Sequence, residues 1–217
     1  MYQKAKYCQI PGLEDMYLEL FGYRSDGFFV DVGAFDCEQW SNTWGLAMAG
    51  WGGVFIEPQG EYMERCSEQF SGRGDITLIQ AAVSNRDGKA ALRLSGSVST
   101  IKRSRALEYA DSKEFGHIGT ATAEMVEVKT ITLDRILNEY DPRSFEVLSI
   151  DVEGSEMDVL NGFSIQYWSP KMVIVEVHEQ HPEEIINHRA PEINRYFEIA
   201  GYTKTYSDVI NNIYVKK

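Results

Sequence analysis

Carboxylates concentrate at two glycine-containing turns of the sequence. Asp31 and Asp36 flank the first turn, around Gly33, and Asp151, Glu153 and Glu156 surround Gly154 in the second. Each turn follows a short apolar run of the kind that forms a buried strand. A glycine there lets a ligand approach the backbone, and the acids favour a cationic ligand. An ordinary tight turn in the first case, and the capped first turn of a helix in the second, are the structural alternatives.

Two other strand ends carry groups that could bind or react. Glu57 and Pro58 follow an apolar run, and a carboxylate there suits the two hydroxyls of a ribose, or else balances a helix dipole. Glu176 and His178 end a later run, and strand alternation points both side chains the same way. Because neighbouring acids raise the pKa of a histidine, His178 is a candidate general base, with a purely structural role as the alternative.

The charge around the first turn decides between two nucleoside cofactors. A pyrophosphate binds bare amides at a helix N-terminus, as in G-x-G-x-x-G. Here Asp31, Asp36 and Glu38 crowd the turn, and Cys37 stands where another glycine would be expected. S-adenosylmethionine carries an ammonium and a sulfonium, which an acidic pocket favours. The sequence therefore predicts S-adenosylmethionine, and a nicotinamide-dependent oxidoreductase is disfavoured.

Strands and helices alternate along most of the chain. Strands are predicted at 28–32, 54–56, 76–80, 91–94, 126–129, 147–150 and 172–177, and helices at 15–21, 39–49, 61–70, 133–139, 156–160 and 183–200. A closing pair of strands at 203–206 and 213–215 reads as an antiparallel hairpin at the sheet edge. This order predicts one α/β domain over residues 1–217, with a doubly wound, mostly parallel sheet. A helical lead-in covers 1–27, and an irregular insert over about 85–128 is expected to shape acceptor specificity.

Composition narrows the partners. The chain has 21 Lys plus Arg against 33 Asp plus Glu, a formal net charge of -12, which disfavours nucleic acid. No apolar run is long enough to span a membrane, and no signal peptide is evident. The three cysteines, Cys8, Cys37 and Cys66, indicate neither a disulfide framework nor a zinc site, so a soluble cytoplasmic protein is expected. Nothing in the pattern indicates an oligomeric state.

From about residue 7 to about residue 178 the sequence resembles the FkbM-type methyltransferases. The first-strand motif at 29–34 and the later motif at 150–156 carry the resemblance, in that order and at that separation. Further matching segments are Gln9 with residues 14–15, then 41–43, 51–58, 82–84 and 132–134. The departure is Cys37, since the family's turn usually carries glycine.

The resemblance implies a class I methyltransferase with a Rossmann-like fold, S-adenosylmethionine as cofactor, and O-methylation of hydroxyls on sugars or polyketide-like products. It assigns the methionine part of the cofactor to Asp31, Gly33 and Ala34. It gives the ribose to Glu57 with Pro58, the adenine to the 80–84 loop with Ala82 and Ser84, and the methyl-transfer face to Asp151, Val152 and Glu153. Asn42 is a weaker carry-over.

We expect a sugar or glycan acceptor. Its hydroxyl needs help to lose a proton, for which His178 is the first candidate and Asp151 or Glu153 the second. A divalent ion held by Asp151, Glu153 and Glu176 is conceivable but not predicted. Aromatic candidates for stacking on a sugar are Trp40, Trp44, Tyr109 and Trp168. The alternative function is a noncatalytic nucleoside- or glycan-binding protein on the same fold.

Overall fold

The computed structural model describes residues 1–102, 124–140, 145–179 and 189–217. In chain order, its elements are α1 (Leu13–Phe21), β1 (Phe28–Val32), α2 (Trp44–Met48), β2 (Gly52–Ile56), α3 (Gly60–Gln69), β3 (Ile76–Ile79), β4 (Ala82–Val83), β5 (Gly88–Arg93), β6 (Met125–Ile131), α4 (Leu133–Tyr140), β7 (Val147–Ile150), α5 (Glu156–Asn161), α6 (Ile165–Trp168), β8 (Met172–Glu176), α7 (Ala190–Ile199), β9 (Tyr202–Ser207) and β10 (Asn211–Lys216).

A seven-stranded sheet organises the molecule in the order β3-β2-β1-β7-β8-β10-β9. The pairs from β3 to β8 are parallel, and β10 runs antiparallel to both β8 and β9. The predicted fold class, a doubly wound sheet with an antiparallel C-terminal hairpin, is confirmed. The second strand of this hairpin, β10, lies between β8 and β9, so β9 forms the edge of the sheet. β1 lies between β2 and β7, which makes its carboxyl end the switch point where such sheets bind ligands.

Alternation along the strands builds an apolar core on each face of the sheet. In β1, Val30 and Val32 join the core that contains Leu133 of α4, whereas Phe29 joins the one that contains Trp51. All four residues of β7 are buried. A strand covered on both faces reads as a continuous apolar run, which is why these strands could be found from the sequence.

A second, three-stranded sheet has the order β4-β6-β5. The strands predicted at 91–94 and 126–129 correspond to β5 and β6, which are longer than predicted and pair antiparallel at the two ends of the insert. A small cluster of Ala82, Leu92 and Val128 covers one face of this pair, so its apolar pattern indicates only part of each strand. Residues 103–123, the rest of the insert, lie outside the described residues.

The helix predicted over 39–49 begins only at Trp44. The preceding segment is held open because Ser41 Oγ accepts hydrogen bonds from the amides of Thr43 and Trp44, at 3.2 and 3.0 Å. Thr43 turns its own hydroxyl away, to Asp31. The last helix, α7, begins at Ala190, and most of the earlier part predicted from 183 lies outside the described residues.

A disulfide joins Cys37, in the loop after β1, to Cys66 of α3, with Cα atoms 5.5 Å apart. The expectation that the cysteines form no disulfide is therefore wrong, because two positions 29 residues apart meet at the same edge of the sheet. The cysteines therefore no longer support the expectation of a cytoplasmic protein. Cys8 stays a free, buried thiol. None of the described helices is long and apolar enough to cross a membrane.

Candidate functional site

A cavity of about 290 Å³ opens at the switch point of the large sheet. The ends of β1, β2, β7 and β8 supply its walls. Of the residues predicted for a site, those that line it are Asp31, Gly33, Ala34, Asn42, Glu57, Pro58, Ala82, Asp151, Val152, Glu153 and His178. Ser84 is not among its lining residues; its amide donates to the carbonyl of Ile131 at 3.0 Å. The structure thus brings together every predicted site residue except Ser84.

Asp31, the fourth residue of β1, lies almost wholly buried at one wall of the cavity. Its Oδ2 accepts hydrogen bonds from Thr43 Oγ1 at 2.6 Å and from Ser41 Oγ at 3.4 Å. Burial raises the pKa of Asp31 to about 6, and these hydroxyls act in the opposite direction. The carboxylate is therefore charged near neutral pH and can bind a cationic group.

Gly33 has a backbone conformation that other residues rarely adopt, with φ of 86°. Its amide and that of Ala34 donate to the carbonyl of Ile56, at 2.9 and 3.1 Å, so the turn is tied to β2. A Cβ at this position would lie 2.7 Å from the carbonyl carbon of Asp151 and closer still to its oxygen. Glycine is thus required both for the turn and for the contact between the two predicted motifs.

Glu57 follows β2 and organises the loops on either side of it. Its Oε2 accepts the amide of Phe35 at 3.2 Å, and its Oε1 accepts the amide of Gln59 at 3.0 Å and the Gln59 side chain at 3.2 Å. Burial raises the pKa of Glu57 to about 7 despite these donors. A carboxylate has about four lone-pair sites, so acceptor capacity remains for a ligand.

At the opposite wall, Glu153, Glu176 and His178 come together. Their exposed fractions are 8%, 8% and 5%. His178 Nε2 lies 2.9 Å from Glu176 Oε1, and the His178 amide donates to the carbonyl of Ile210 at 2.9 Å. Beside them, burial and then the charge of Glu176 raise the pKa of Asp151 well above its usual range. Acid and base groups are therefore concentrated at this wall.

Sequence reasoning missed the hydroxyls that serve the acids. Ser41 and Thr43 belong to a segment that resembles the family, and both of their hydroxyls donate hydrogen bonds to Asp31. Ser149 Oγ accepts from Asn42 Nδ2 at 3.3 Å and also bonds Asp31. A hydroxyl ten or twelve residues after an acid carries no periodic signal. Only the fold brings it back to the strand.

Of the aromatic candidates, Trp40 lines the cavity and is 41% exposed. It contacts Phe35, with ring centroids 5.7 Å apart. Trp44 packs against the apolar core, and Trp168 donates its Nε1–H to Asp134 at 2.9 Å. Tyr109 lies outside the described residues. Trp40 therefore remains as an aromatic surface at the cavity.

Comparison with known proteins gives one family match. Residues 31–204 match the family model described as "Methyltransferase FkbM domain". The matched range contains the strand-end motifs from Asp31 to His178 that build the cavity. None of the curated proteins compared with the chain matches it.

Solved structures share the fold at low sequence identity. A Staphylococcus aureus protein described as a caffeoyl-CoA O-methyltransferase is 8% identical, with 98% of this chain and 86% of that chain covered and a TM-score of 0.51. An rRNA methylase from Streptococcus thermophilus is 10% identical, covering 93% and 92%, with a TM-score of 0.49. The ribosomal protein L11 methylase of Lactobacillus delbrueckii subsp. bulgaricus is 13% identical, covering 96% and 80%, with a TM-score of 0.45. At these identities the likeness concerns the fold alone.

Proposed function

We propose that this chain, which belongs to the FkbM methyltransferase family, methylates a hydroxyl of a sugar or glycan with S-adenosylmethionine as donor. The observation that carries the proposal is a single cavity with two chemically different walls. Asp31 and Glu57 line one wall, and Glu176 and His178 line the other. Such a cavity can hold a cationic donor and a neutral acceptor side by side.

The donor wall fits S-adenosylmethionine by charge and by hydrogen bonding. Asp31, with Gly33 and Ala34, would hold the ammonium of the methionine part, because a buried carboxylate with a pKa of about 6 is ionised at neutral pH. Glu57 and Pro58 would hold the ribose, since Glu57 Oε2 accepts only the Phe35 amide and keeps acceptor capacity for a ribose hydroxyl. When bound, the cofactor supplies an electrophilic methyl group on a sulfonium.

The acceptor wall supplies acid and base groups. An alcohol is a weak nucleophile at neutral pH, so its proton must be taken as the oxygen bonds to carbon. The imidazole of His178 is held by Glu176 at 2.9 Å, and Asp151 and Glu153 line the cavity next to it. We assign removal of the acceptor proton to this cluster. Positioning the hydroxyl beside the methyl group supplies much of the remaining rate.

Charge and an aromatic surface favour a neutral sugar as acceptor. None of the described residues that line the cavity is Lys or Arg, and the chain carries a net charge of -12. A phosphate-bearing acceptor would meet repulsion there. Trp40, 41% exposed beside the cavity, offers a ring face to the apolar side of a sugar. These features together disfavour nucleic acid.

Two linked measurements test the proposal. Calorimetry with S-adenosylhomocysteine should show binding that is lost in an Asp31→Asn, Glu57→Gln double variant and kept in Glu127→Gln, whose carboxylate is exposed and paired with Lys89. Methyl transfer from isotope-labelled S-adenosylmethionine should then appear with neutral sugars or glycans and be absent with RNA. Binding without any transfer would favour the noncatalytic alternative, and transfer to RNA would contradict the acceptor class.

A further inference from the structure

The acceptor wall holds a set of metal-ligating atoms. Glu153, Glu176 and His178 each offer one such atom, and these atoms all lie within 4.8 Å of one another. We propose that the three side chains bind one divalent metal ion beside the acceptor hydroxyl. The binding site is independent of the proposed function, whereas the role given to the ion in the reaction rests on it.

The sheet brings the three ligands together. β7 and β8 are parallel neighbours, with Ile150 paired to Val175, so their carboxyl ends meet at one edge. Glu153 follows β7, Glu176 is the last residue of β8, and His178 comes two residues later. The three residues thus come from two rigid strand ends, which suits a site that must hold an ion in one place.

The spacing of the donor atoms fits an ion of ordinary size. Ligands at about 2.1 Å from a metal lie about 3 Å apart when adjacent and about 4.2 Å apart when opposite. A set of atoms already within 4.8 Å needs only small side-chain movements to close on one ion. Two carboxylate oxygens with one imidazole nitrogen suit Mn²⁺ or a similar divalent transition metal better than Ca²⁺, which prefers oxygen alone.

Burial keeps this position away from bulk water. All three side chains are more than nine-tenths buried, so solvent would do little to screen the attraction between their carboxylates and a bound divalent ion. The ion would also leave open coordination positions toward the cavity, because three protein ligands do not fill a coordination shell of six.

Ser155 gives an independent sign that a ligand belongs here. It lies two residues after Glu153, lines the same cavity and is 1% exposed. Within the described part of the chain its Oγ has no hydrogen-bond partner. Buried hydroxyls normally have a partner, and a water or an acceptor oxygen bound to the ion would provide one.

With the ion in place, the roles at this wall become distinct. An alcohol bound to a divalent ion loses its proton more readily, because the metal stabilises the alkoxide. His178 would then act as a ligand instead of as the base, and the proton of the bound hydroxyl would pass to solvent water. The acceptor oxygen forms its bond to the methyl carbon as the carbon–sulfur bond breaks, and the electron pair stays on sulfur.

Mn²⁺ alone, titrated into the chelator-treated full chain and followed by electron paramagnetic resonance, tests the site. One ion per chain is expected, with affinity at least roughly tenfold weaker in Glu153→Gln and Glu176→Gln. Glu179→Gln is the matched control, because this neighbouring carboxylate bonds Lys204 and Asn212 instead. Equal weakening in the control, or no stoichiometric binding to wild type, would overturn the site.

Two further measurements test the imidazole ligand and the role of the ion in methyl transfer. If the glutamine variants fail to fold, spin-echo modulation by nitrogen in wild type still tests whether an imidazole ligates Mn²⁺, and its absence from bound Mn²⁺ overturns the ligand set. Chelation should abolish methyl transfer, and Mn²⁺ should restore it. Transfer that survives chelation removes the catalytic role of the ion and leaves the methyltransferase proposal intact. Mn²⁺ binding without any transfer preserves the site and refutes that function.

Discussion

Gly33 and Asp151 meet across the switch point of the sheet so closely that no side chain fits between them. A Cβ on Gly33 would lie 2.7 Å from the carbonyl carbon of Asp151. The two residues belong to turns more than a hundred positions apart in the sequence, each at the end of a neighbouring parallel strand. The contact between the Gly33 and Asp151 backbones thus fixes the position of the donor wall relative to the acceptor wall.

Gly33→Ala should therefore damage both stability and cofactor binding. The new methyl group would force the two turns apart, in addition to the strain of a φ of 86°. We expect a loss of more than about 3 kcal/mol in the free energy of unfolding, measured by urea denaturation. Gly72→Ala is the matched control, because Gly72 has a φ of 81° and nothing within 4 Å of the added Cβ. It should lose only about 1 to 2 kcal/mol. Equal losses in the two variants would mean that the contact with Asp151 is unimportant.

Glu57→Gln should change stability in a pH-dependent way. The folded-state pKa of Glu57, about 7, lies above the usual 4.5, so the folded chain holds this proton more tightly than the unfolded chain does. The wild type therefore gains stability as the pH falls from about 7 toward 4.5, and loses it again as the pH rises. The neutral amide lacks this dependence. Relative to wild type, the variant should be more stable at pH 8 than at pH 5, as measured by denaturation at each pH. A difference that does not change with pH would contradict the buried-carboxylate argument.

The affinity for the cofactor should also depend on the ionisation of Glu57, but it should increase as the pH rises. An ionised Glu57 accepts a hydrogen bond from a ribose hydroxyl better than a protonated one does, so S-adenosylhomocysteine should bind roughly tenfold more weakly at pH 6 than at pH 8. Calorimetry in two buffers of different ionisation enthalpy should detect proton release near pH 7. The Glu57→Gln variant should bind weakly and with a shallower pH dependence. An unchanged pH profile in that variant would remove Glu57 from the binding wall.

Thr43→Val tests the hydroxyl support of Asp31. The substitution keeps the shape of a fully buried side chain but removes the donor at 2.6 Å. The pKa of Asp31 should rise above its present value of about 6, and a buried hydrogen bond of this kind contributes about 1 to 3 kcal/mol. Nuclear magnetic resonance titration of the carboxyl carbon measures the first effect, and denaturation measures the second. Thr43→Ser keeps the hydroxyl and should restore the pKa.

The strand ends could be located from the sequence because a buried parallel strand is a continuous apolar run. Glu57, Asp151 and His178 each follow such a run, and Asp31 lies one residue before the end of β1. The topology of the sheet then places all four at one edge. The spacing of polar residues around the cavity could not be found in this way. The sequence predicts a helix over 39–49, but Ser41 and Thr43 prevent its first part from forming. The hydroxyl of Thr43 bonds to Asp31 in β1, and that of Ser41 accepts the amides of Thr43 and Trp44.

Two other features depend on pairing between distant segments, which a single sequence does not display. β5 and β6 lie at the two ends of the insert and form an antiparallel ladder that packs on a small apolar cluster. Cys37 and Cys66 share no motif spacing, and only the approach of the loop after β1 to α3 brings them together. In each case the deciding contact is tertiary. Local periodicity gives no information about it.

The Cys37–Cys66 disulfide should stabilise the donor wall. It closes a loop of 29 residues in sequence separation, for which the chain-entropy model gives about 3 to 4 kcal/mol. The loop after β1, which holds Cys37, also carries Phe35, whose amide donates to Glu57, so a Cys37→Ser, Cys66→Ser variant should also bind S-adenosylhomocysteine more weakly. Urea denaturation and calorimetry measure the two effects. Cys8→Ser controls for loss of a buried thiol that is not bridged. Alkylation of the unfolded, unreduced wild type followed by mass spectrometry should modify one cysteine per chain. Modification of all three would show that the bridge does not form.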